Sequence, residues 1–289
     1  MARIAYVNGR YGPIASAEVS IEDRGFQFAD SVYEVLKLIR GRIVDGDRHL
    51  ARLARSLGEL RIAAPCTDAA LRQIVRRTVA LNGLRDALIY IQVTRGAAPR
   101  NHPFPAKREP TLVVTLRRLS LPSRTETENG VKIVTVPDQR WTRCDIKSTG
   151  LLPNVLAKQE AQQQGCREAW LVDGSAEDAV VTEGSSTNAW IVDKDGVLRT
   201  HPATQAILGG VTRSVVLELA QANGIPVEQR TFTLQELRDA REAFLTSATS
   251  LVLPVTSVDG RPVANGMPGE ATRRLMAAYA ERCGIHQAA

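Results

Sequence analysis

The stretch Asp145-Ile146-Lys147-Ser148-Thr149-Gly150 lies in the middle of a chain of 289 residues. It follows a polar run, Trp141 to Cys144, and precedes a helix predicted from Pro153 to Gly165. This position predicts a lysine at the end of a strand, with its amine facing a cleft. A lysine becomes a nucleophile at neutral pH only when desolvation or a nearby positive charge favours loss of its proton. Because most lysines are solvated surface charges, the meaning of Lys147 depends on the rest of the chain.

Composition is typical of a globular protein, with 44% hydrophobic and 24% charged residues. The length allows two modest domains or one large one. No apolar run is long enough to span a bilayer, and the N-terminus lacks a signal-peptide core, so we expect a cytoplasmic protein. Four scattered cysteines without a CxxC pair predict neither disulfides nor a metal site.

The net charge of +6 invites a nucleic-acid interpretation. However, the 37 basic residues are dispersed along the chain, and only 4% of residues are aromatic. Such a chain has few stacking platforms for single strands and no basic block for a duplex. A cleft for small anions explains the mild excess equally well, and we expect neither a nucleic-acid nor a membrane partner.

The first half of the chain alternates strand and helix patterns. A hairpin is predicted at Asn8-Gly9, and a strand over Val32–Ile39 places Tyr33 on one of its two faces. Leucines at helical spacing predict a helix from Asp47 to Arg61, and Arg52 lies off its apolar stripe. The remaining predicted elements of this half are a short strand over Arg42–Asp45, a helix over Asp68–Asn82 and strands over Ala87–Thr94 and Thr111–Arg117.

A long loop, Arg95 to Pro105, joins the last two of these strands and contains three prolines. Arg100 and His102 stand two residues apart within it. An arginine fork with an added histidine donor suits capture of a carboxylate, while a charged surface loop is the plain alternative. Loops of this length are often functional, which favours a binding role slightly.

Three stretches of the second half carry candidate chemistry. Glu183 precedes Gly184 at a predicted strand end, as a turn residue or as a carboxylate able to hold a proton on a heteroaromatic nitrogen. Gly209-Gly210 precedes a predicted helix with a hydroxyl at Thr212; this is either a plain turn or an anion cradle of backbone N–H groups. The run Thr246–Ser250 is a second hydroxyl-rich bend that could add phosphate donors.

The polar segment 121–129 contains Pro122 and separates two strand-like runs. We interpret it as an interdomain linker between a small N-terminal domain (1–120) and a larger C-terminal domain (130–289).

Taken together, these features match what pyridoxal phosphate requires. Its aldehyde condenses with a lysine amine, its ring nitrogen stays protonated beside a carboxylate, and its phosphate is held by backbone donors, hydroxyls and an arginine. Lys147, Glu183, the two small-residue anion cradles and Arg52 supply that set.

The chain resembles the class IV aminotransferases of fold type IV, and within them most closely the D-amino-acid aminotransferases. The resemblance covers essentially the whole chain. It rests on six stretches, in order: Asp30–Val35, His49–Leu53, Arg95–His102, Cys144–Ser148, Thr182–Asn188 and Gly209–Arg213. Two departures are Ser31, where the family usually has glycine, and Trp190, where it has Phe or Tyr.

The resemblance implies an α/β (α+β) fold of two domains, a small N-terminal one and a larger C-terminal one, with the cofactor at their interface. It implies that Lys147 bonds to the cofactor, that Glu183 holds its ring nitrogen and that Leu208 lies against its ring. The residues implied for the phosphate are Arg52, Val211, Thr212 and Thr249, the last beside Ala248.

By the same resemblance, Tyr33, Arg100 and His102 match positions that grip the substrate α-carboxylate. Arg100 and His102 would reach in from a neighbouring subunit, which implies a homodimer.

The activity expected from the resemblance is transamination between a D-amino acid, such as D-alanine, and a 2-oxo acid, 2-oxoglutarate or pyruvate. Alternatives within the family are a branched-chain L-amino-acid aminotransferase, an (R)-selective amine transaminase and an aminodeoxychorismate lyase. The first two share Lys147 and Glu183 but are not expected to carry Arg-Asn-His in the loop. A binding protein without catalysis is an alternative supported only by the basic pI of about 9.4.

Overall fold

The computed structural model describes residues 3–107, 109–175 and 178–285. The chain forms two compact units. The N-terminal unit comprises residues up to Ser120 together with Ile146–Gly150, and the C-terminal unit comprises Leu121–Asp145 and the residues from Leu151 onward. No helix within the described ranges is long and apolar enough to cross a membrane.

The N-terminal unit is an antiparallel sheet covered by helices. Its elements are β1 (Ile4–Val7), β2 (Arg10–Pro13), α1 (Arg24–Phe28), β3 (Ser31–Ile39), β4 (Arg42–Val44), α2 (Gly46–Glu59), α3 (Asp68–Asn82), β5 (Ala87–Thr94) and β6 (Thr111–Arg118). The strand order is β2-β1-β6-β5-β3-β4. The predicted hairpin is confirmed, because Asn8 (φ 42°) and Gly9 (φ 91°) turn the chain between β1 and β2.

Local signals define α3, whose bounds agree with the sequence prediction. Thr67 caps its N-terminus by accepting a hydrogen bond from the Ala70 N–H at 3.2 Å, and Gly83 ends it with φ 61°. The apolar faces of α2 and α3 pack on the sheet, and the core includes Leu36, Leu53 and Val75. Because side chains alternate along β3, its even-numbered residues face this core and Tyr33 lies on the other face.

The C-terminal unit is built on a larger mixed sheet. Its elements are α4 (Arg124–Asn129), β7 (Val131–Pro137), α5 (Leu152–Gln163), β8 (Glu168–Asp173), β9 (Val180–Gly184), β10 (Asn188–Val192), β11 (Leu198–Thr200), α6 (Val211–Ala222), β12 (Val227–Gln229), β13 (Phe232–Thr233), α7 (Leu234–Arg238), β14 (Glu242–Ser247), β15 (Leu251–Val258), β16 (Arg261–Pro262) and α8 (Glu270–Cys283). The strand order is β12-β11-β10-β14-β15-β7-β8-β9-β13, and β16 pairs with β15.

A small sheet in the N-terminal unit and a larger one in the C-terminal unit confirm the predicted α/β fold class. The segment predicted as a linker, 121–129, contains the helix α4. A reciprocal pair of hydrogen bonds between Ser123 and Glu126 caps this helix.

Candidate active site

Lys147 lies in a loop and not at the end of a strand, so that expectation was wrong. β7 ends at Pro137, ten residues earlier, and the intervening chain has no regular structure. The loop is held against β3 by its backbone: the Tyr33 N–H donates to the Lys147 carbonyl at 3.0 Å, and Ser148 forms an isolated β-bridge with Val32. A neighbouring strand therefore fixes the position of Lys147.

The amine of Lys147 faces an aromatic surface. Its Nζ lies 4.3 Å from the centre of the Tyr33 ring, and this ring stacks on Tyr90 with centres 5.5 Å apart. The Tyr90 hydroxyl donates to Gln92 Oε1 at 2.8 Å. Burial, with a smaller contribution from Tyr33, raises the pKa of Tyr90 to about 12. The structure thus brings together two of the predicted site residues, Lys147 and Tyr33.

Arg52 forms a two-pronged ion pair with Glu34 of β3. Its Nε and Nη2 donate to the two carboxylate oxygens at 2.7 and 2.9 Å, and His49 Nδ1 lies 2.7 Å from Glu34 Oε2. Burial acts to raise the pKa of Glu34, but Arg52 and His49 together outweigh it and lower the pKa to about 2. Burial also lowers the pKa of His49. Arg52 is therefore held rigidly by a fully buried carboxylate.

Glu183 sits in β9 and accepts hydrogen bonds at both oxygens. The Leu208 N–H donates to Oε1 at 3.1 Å, the Asn188 side-chain amide donates to Oε2 at 2.9 Å, and Arg140 also donates to Oε1. Three donors therefore hold the Glu183 carboxyl group in a fixed orientation. The structure thus places the predicted residues Glu183 and Leu208 in direct contact.

Arg140 is a site residue that the sequence prediction missed. Its guanidinium also donates to Asp138 at 2.7 Å and to the Ala206 carbonyl at 3.1 Å. Burial acts against its charge, but Asp138 and Glu183 outweigh burial and raise the pKa of Arg140. The same pairing lowers the pKa of Asp138 despite its burial. No local signal marked Arg140, because its partner Glu183 is 43 residues away.

The predicted anion cradle coincides with the N-terminus of α6. Gly210 is the N-cap residue and offers no side-chain cap, and the first N–H groups of a helix have no partner within the helix itself. A Cβ at Gly210 would lie 2.1 Å from Asn188 Oδ1, which explains why a glycine is needed there. Val211 and Thr212 are buried, and the Thr212 hydroxyl lies 3.3 Å from the Tyr279 hydroxyl.

Thr249 lies in the turn between β14 and β15. Its N–H donates to Ser247 Oγ at 3.2 Å, and its hydroxyl lies 3.2 Å from the same oxygen, so Ser247 fixes the conformation of this hydroxyl-rich bend. The turn is shorter than predicted, because β14 continues to Ser247.

Arg100 and His102 are exposed and share one neighbour, Phe28 of α1. The Arg100 guanidinium carbon lies 4.8 Å from the centre of the Phe28 ring, and the His102 ring centre lies 5.5 Å from it. Two cationic or hydrogen-bonding side chains are thereby presented together, as capture of a carboxylate requires.

The N-terminal unit carries an amine beside an aromatic ring and an arginine held by a carboxylate. The C-terminal unit carries a carboxylate held by three donors and the N-terminus of a helix. An amine, a fixed carboxylate and anion donors can serve covalent catalysis on a phosphorylated carbonyl compound.

Comparison with known proteins gives a consistent assignment. The family model described as "Amino-transferase class IV" matches residues 31–258. The chain is 42% identical over 271 residues to the D-alanine aminotransferase of Bacillus licheniformis, with 94% of each chain covered. It is 39% identical over 282 residues to that of Staphylococcus aureus (strain MSSA476), with 97% of this chain and 98% of the relative covered.

Among solved structures, the branched-chain aminotransferase of the thermophilic archaeon Thermoproteus uzoniensis, determined with norvaline, superposes with a TM-score of 0.86. The match covers 99% of this chain and 97% of that one at 26% sequence identity. With a family model spanning most of its length and full-length relatives near 40% identity, the chain belongs to the class IV aminotransferases.

Proposed function

We propose that the chain catalyses pyridoxal-phosphate-dependent transamination between a D-amino acid, such as D-alanine, and a 2-oxo acid, such as 2-oxoglutarate or pyruvate. The observation that carries the proposal is the amine of Lys147, held by β3 and directed to the ring of Tyr33 at 4.3 Å. The full-length relatives named D-alanine aminotransferases support the choice of substrate.

The residues present suit this cofactor. The carboxyl group of Glu183, held by Asn188 and Leu208, would favour a protonated ring nitrogen beside it. The N-terminus of α6 would offer its first N–H groups to a phosphate. A Cβ at Gly210 would clash with Asn188 Oδ1 at 2.1 Å, beside this N-terminus. Arg52 adds a guanidinium that Glu34 holds in place.

These residues bind the cofactor as follows. Lys147 bonds to the cofactor's aldehyde, Glu183 holds its ring nitrogen and Leu208 lies against its ring. Its phosphate is bound by Arg52 and Thr249, by the backbone of Val211 and Thr212, and by the Thr212 hydroxyl.

When bound, pyridoxal phosphate supplies an aldehyde for amino groups and a ring that accepts the electrons of a broken Cα–H bond. The protein supplies the proton transfer and the orientation of the substrate. Once the substrate's amino group has displaced it from the aldehyde, the free Lys147 amine is the base that removes the substrate's Cα proton. Arg140 and Asn188 hold the Glu183 carboxyl group in place before the reaction begins.

We propose that Tyr33, Arg100 and His102 bind the substrate's α-carboxylate, and that Arg100 and His102 come from the second subunit of a homodimer. Large apolar side chains are exposed beside their loop, where Ile21 and Phe26 are 80% and 77% exposed. The stretch that contains these two residues is joined to the loop by a hydrogen bond from the Ala98 N–H to the Glu22 carbonyl at 3.2 Å. Exposed apolar groups beside the loop favour a subunit contact there.

Two measurements test the proposal. The purified protein is assayed with 2-oxoglutarate and either D-alanine or L-leucine, and we expect turnover with D-alanine. Turnover with L-leucine and none with D-alanine would instead support the branched-chain L-amino-acid aminotransferase.

Lys147→Ala is expected to abolish both turnover and the visible absorbance of the lysine-bound cofactor, because the variant has no amine to bond to the aldehyde. Retention of that absorbance band in the variant would refute the role of Lys147.

A further inference from the structure

We propose that Arg24 is a positioning residue that holds the loop carrying Arg100 and His102 in the conformation that receives the substrate's α-carboxylate. This inference rests on the proposed function, since it assigns Arg24 to the same substrate site. Arg24 itself does not need to touch the substrate.

The guanidinium of Arg24 is joined to the loop backbone at three successive residues. Nη1 donates to the carbonyls of Asn101 at 2.5 Å and Pro103 at 3.4 Å, and Nη2 donates to the carbonyl of His102 at 3.1 Å. A single cation therefore sets the orientation of three consecutive carbonyl groups.

Arg24 is itself fixed by a buried charge. The residue is 4% exposed, and its Nε donates to Asp30 Oδ2 at 2.8 Å. Asp30 also receives two hydrogen bonds from Arg95, at 2.7 and 2.9 Å. Arg95 is anchored further by the carbonyls of Leu60 and Arg61, at 2.7 and 2.9 Å. The loop is thus tied through Arg24 and Asp30 to the end of α2.

The same arginine also orders the aromatic neighbour of the two loop side chains. The Arg24 guanidinium carbon lies 4.8 Å from the centre of the Phe28 ring, and Arg100 lies at the same distance from it. His102 packs on this ring as well. Arg24 and Phe28 are the first and last residues of α1, a helix capped by Asp23 through the Gly25 N–H at 2.8 Å. One short helix therefore supports both the backbone and the side chains of the loop.

Loss of this support should weaken binding of carboxylates. The positions of Arg100 and His102 depend on the peptide planes that Arg24 holds, and a displaced fork loses hydrogen bonds to the carboxylate. Because both the amino acid and the oxo acid carry an α-carboxylate, the affinity for both substrates should fall. An interaction made equally in the ground state and the transition state changes KM and leaves kcat nearly unchanged.

The test uses the full-length holoenzyme and the variants Arg24→Met and Arg24→Lys. Arg24→Lys keeps a positive charge beside Asp30 but cannot reach three carbonyls, so it remains informative if Arg24→Met does not fold. Arg118→Met, at the exposed end of β6, is the matched control. KM and kcat are measured for D-alanine and 2-oxoglutarate, and hydrogen exchange is measured for peptides spanning Gly96 to Lys107.

We expect both Arg24 variants to raise KM for both substrates about ten- to hundredfold, the effect of losing a charge-assisted hydrogen bond. kcat and the cofactor absorbance should stay near those of the wild type. In an Arg100→Met background the Arg24→Met substitution should add less than about twofold to KM, because the two residues act through one loop. Amides of the loop should exchange faster in both Arg24 variants.

KM values within about twofold of the wild type, or independent effects of Arg24→Met and Arg100→Met, would overturn the proposal. Unchanged exchange in the loop would overturn it as well. If the wild type and Arg118→Met both fail to act on D-alanine, the proposed function is refuted instead. Hydrogen exchange then still decides whether Arg24 holds the loop.

Discussion

Replacing Glu34 by glutamine removes the charge that joins Arg52 and His49 while keeping the length of the side chain. Glu34 is fully buried, accepts two hydrogen bonds from Arg52 and lies 2.7 Å from His49 Nδ1. The variant removes the carboxylate that accepts both of these hydrogen bonds from the Arg52 guanidinium. Breaking a buried ion pair on one side destabilises strongly, because the remaining charge loses the partner that offset its burial.

The magnitude follows from the pKa of Glu34, which is about 2 in the folded protein against an ordinary value of 4.5. A difference of one pKa unit corresponds to about 1.4 kcal/mol, so the carboxylate contributes about 3 kcal/mol to the free energy of unfolding at pH 7. The pKa of Glu34 is lower in the folded protein than in the unfolded chain. The contribution is therefore fully present above about pH 4.5 and is lost as the pH falls through about 2.

The assay is urea unfolding of the wild type and Glu34→Gln at pH 7 and at a series of values down to about pH 3. We expect the variant to be less stable by about 3 kcal/mol at pH 7 and the difference to narrow steadily in acid. Glu59→Gln is the control, because its ion pair with Arg55 spans 3.9 Å at the surface and should contribute under about 1 kcal/mol. A pH-independent difference, or a loss no larger than in the control, would refute this account of Arg52.

Two further predictions concern the proposed site. The first uses a purified heterodimer of one Lys147→Ala subunit and one Arg100→Met subunit. If Arg100 acts across the interface, this heterodimer contains one site with both residues intact and should have about half of the wild-type activity. Activity as low as in the two parent homodimers would contradict a contribution of Arg100 to the partner's site. Gly210→Ala should weaken cofactor binding about tenfold or more, because the new Cβ would lie 2.1 Å from Asn188 Oδ1. Gly209→Ala, whose Cβ would meet no atom within 4 Å, should bind the cofactor almost normally in the same absorbance titration; equal affinities of the two variants would argue against a close approach at Gly210.

Local signals in the sequence predicted most of the helices and strands. Asn8-Gly9 predicted the first hairpin, and α3 has the predicted bounds, Asp68–Asn82. These features were predictable because turns and helix caps depend on residues only a few positions apart. Lys147 and Glu183 were also singled out from the sequence, because their motifs are short and contiguous.

The partners of those residues came only from the tertiary structure. Arg140 meets Glu183 across 43 residues, Arg52 meets Glu34 across 18, and Arg24 reaches the Asn101 carbonyl across 77. The misplacement of Lys147 at a strand end has the same origin, since it is β3, far earlier in the chain, that fixes its loop. Sequence patterns within one segment determine which element forms and which face it buries. The order of strands in a sheet decides which distant side chains meet, and no local pattern encodes that order.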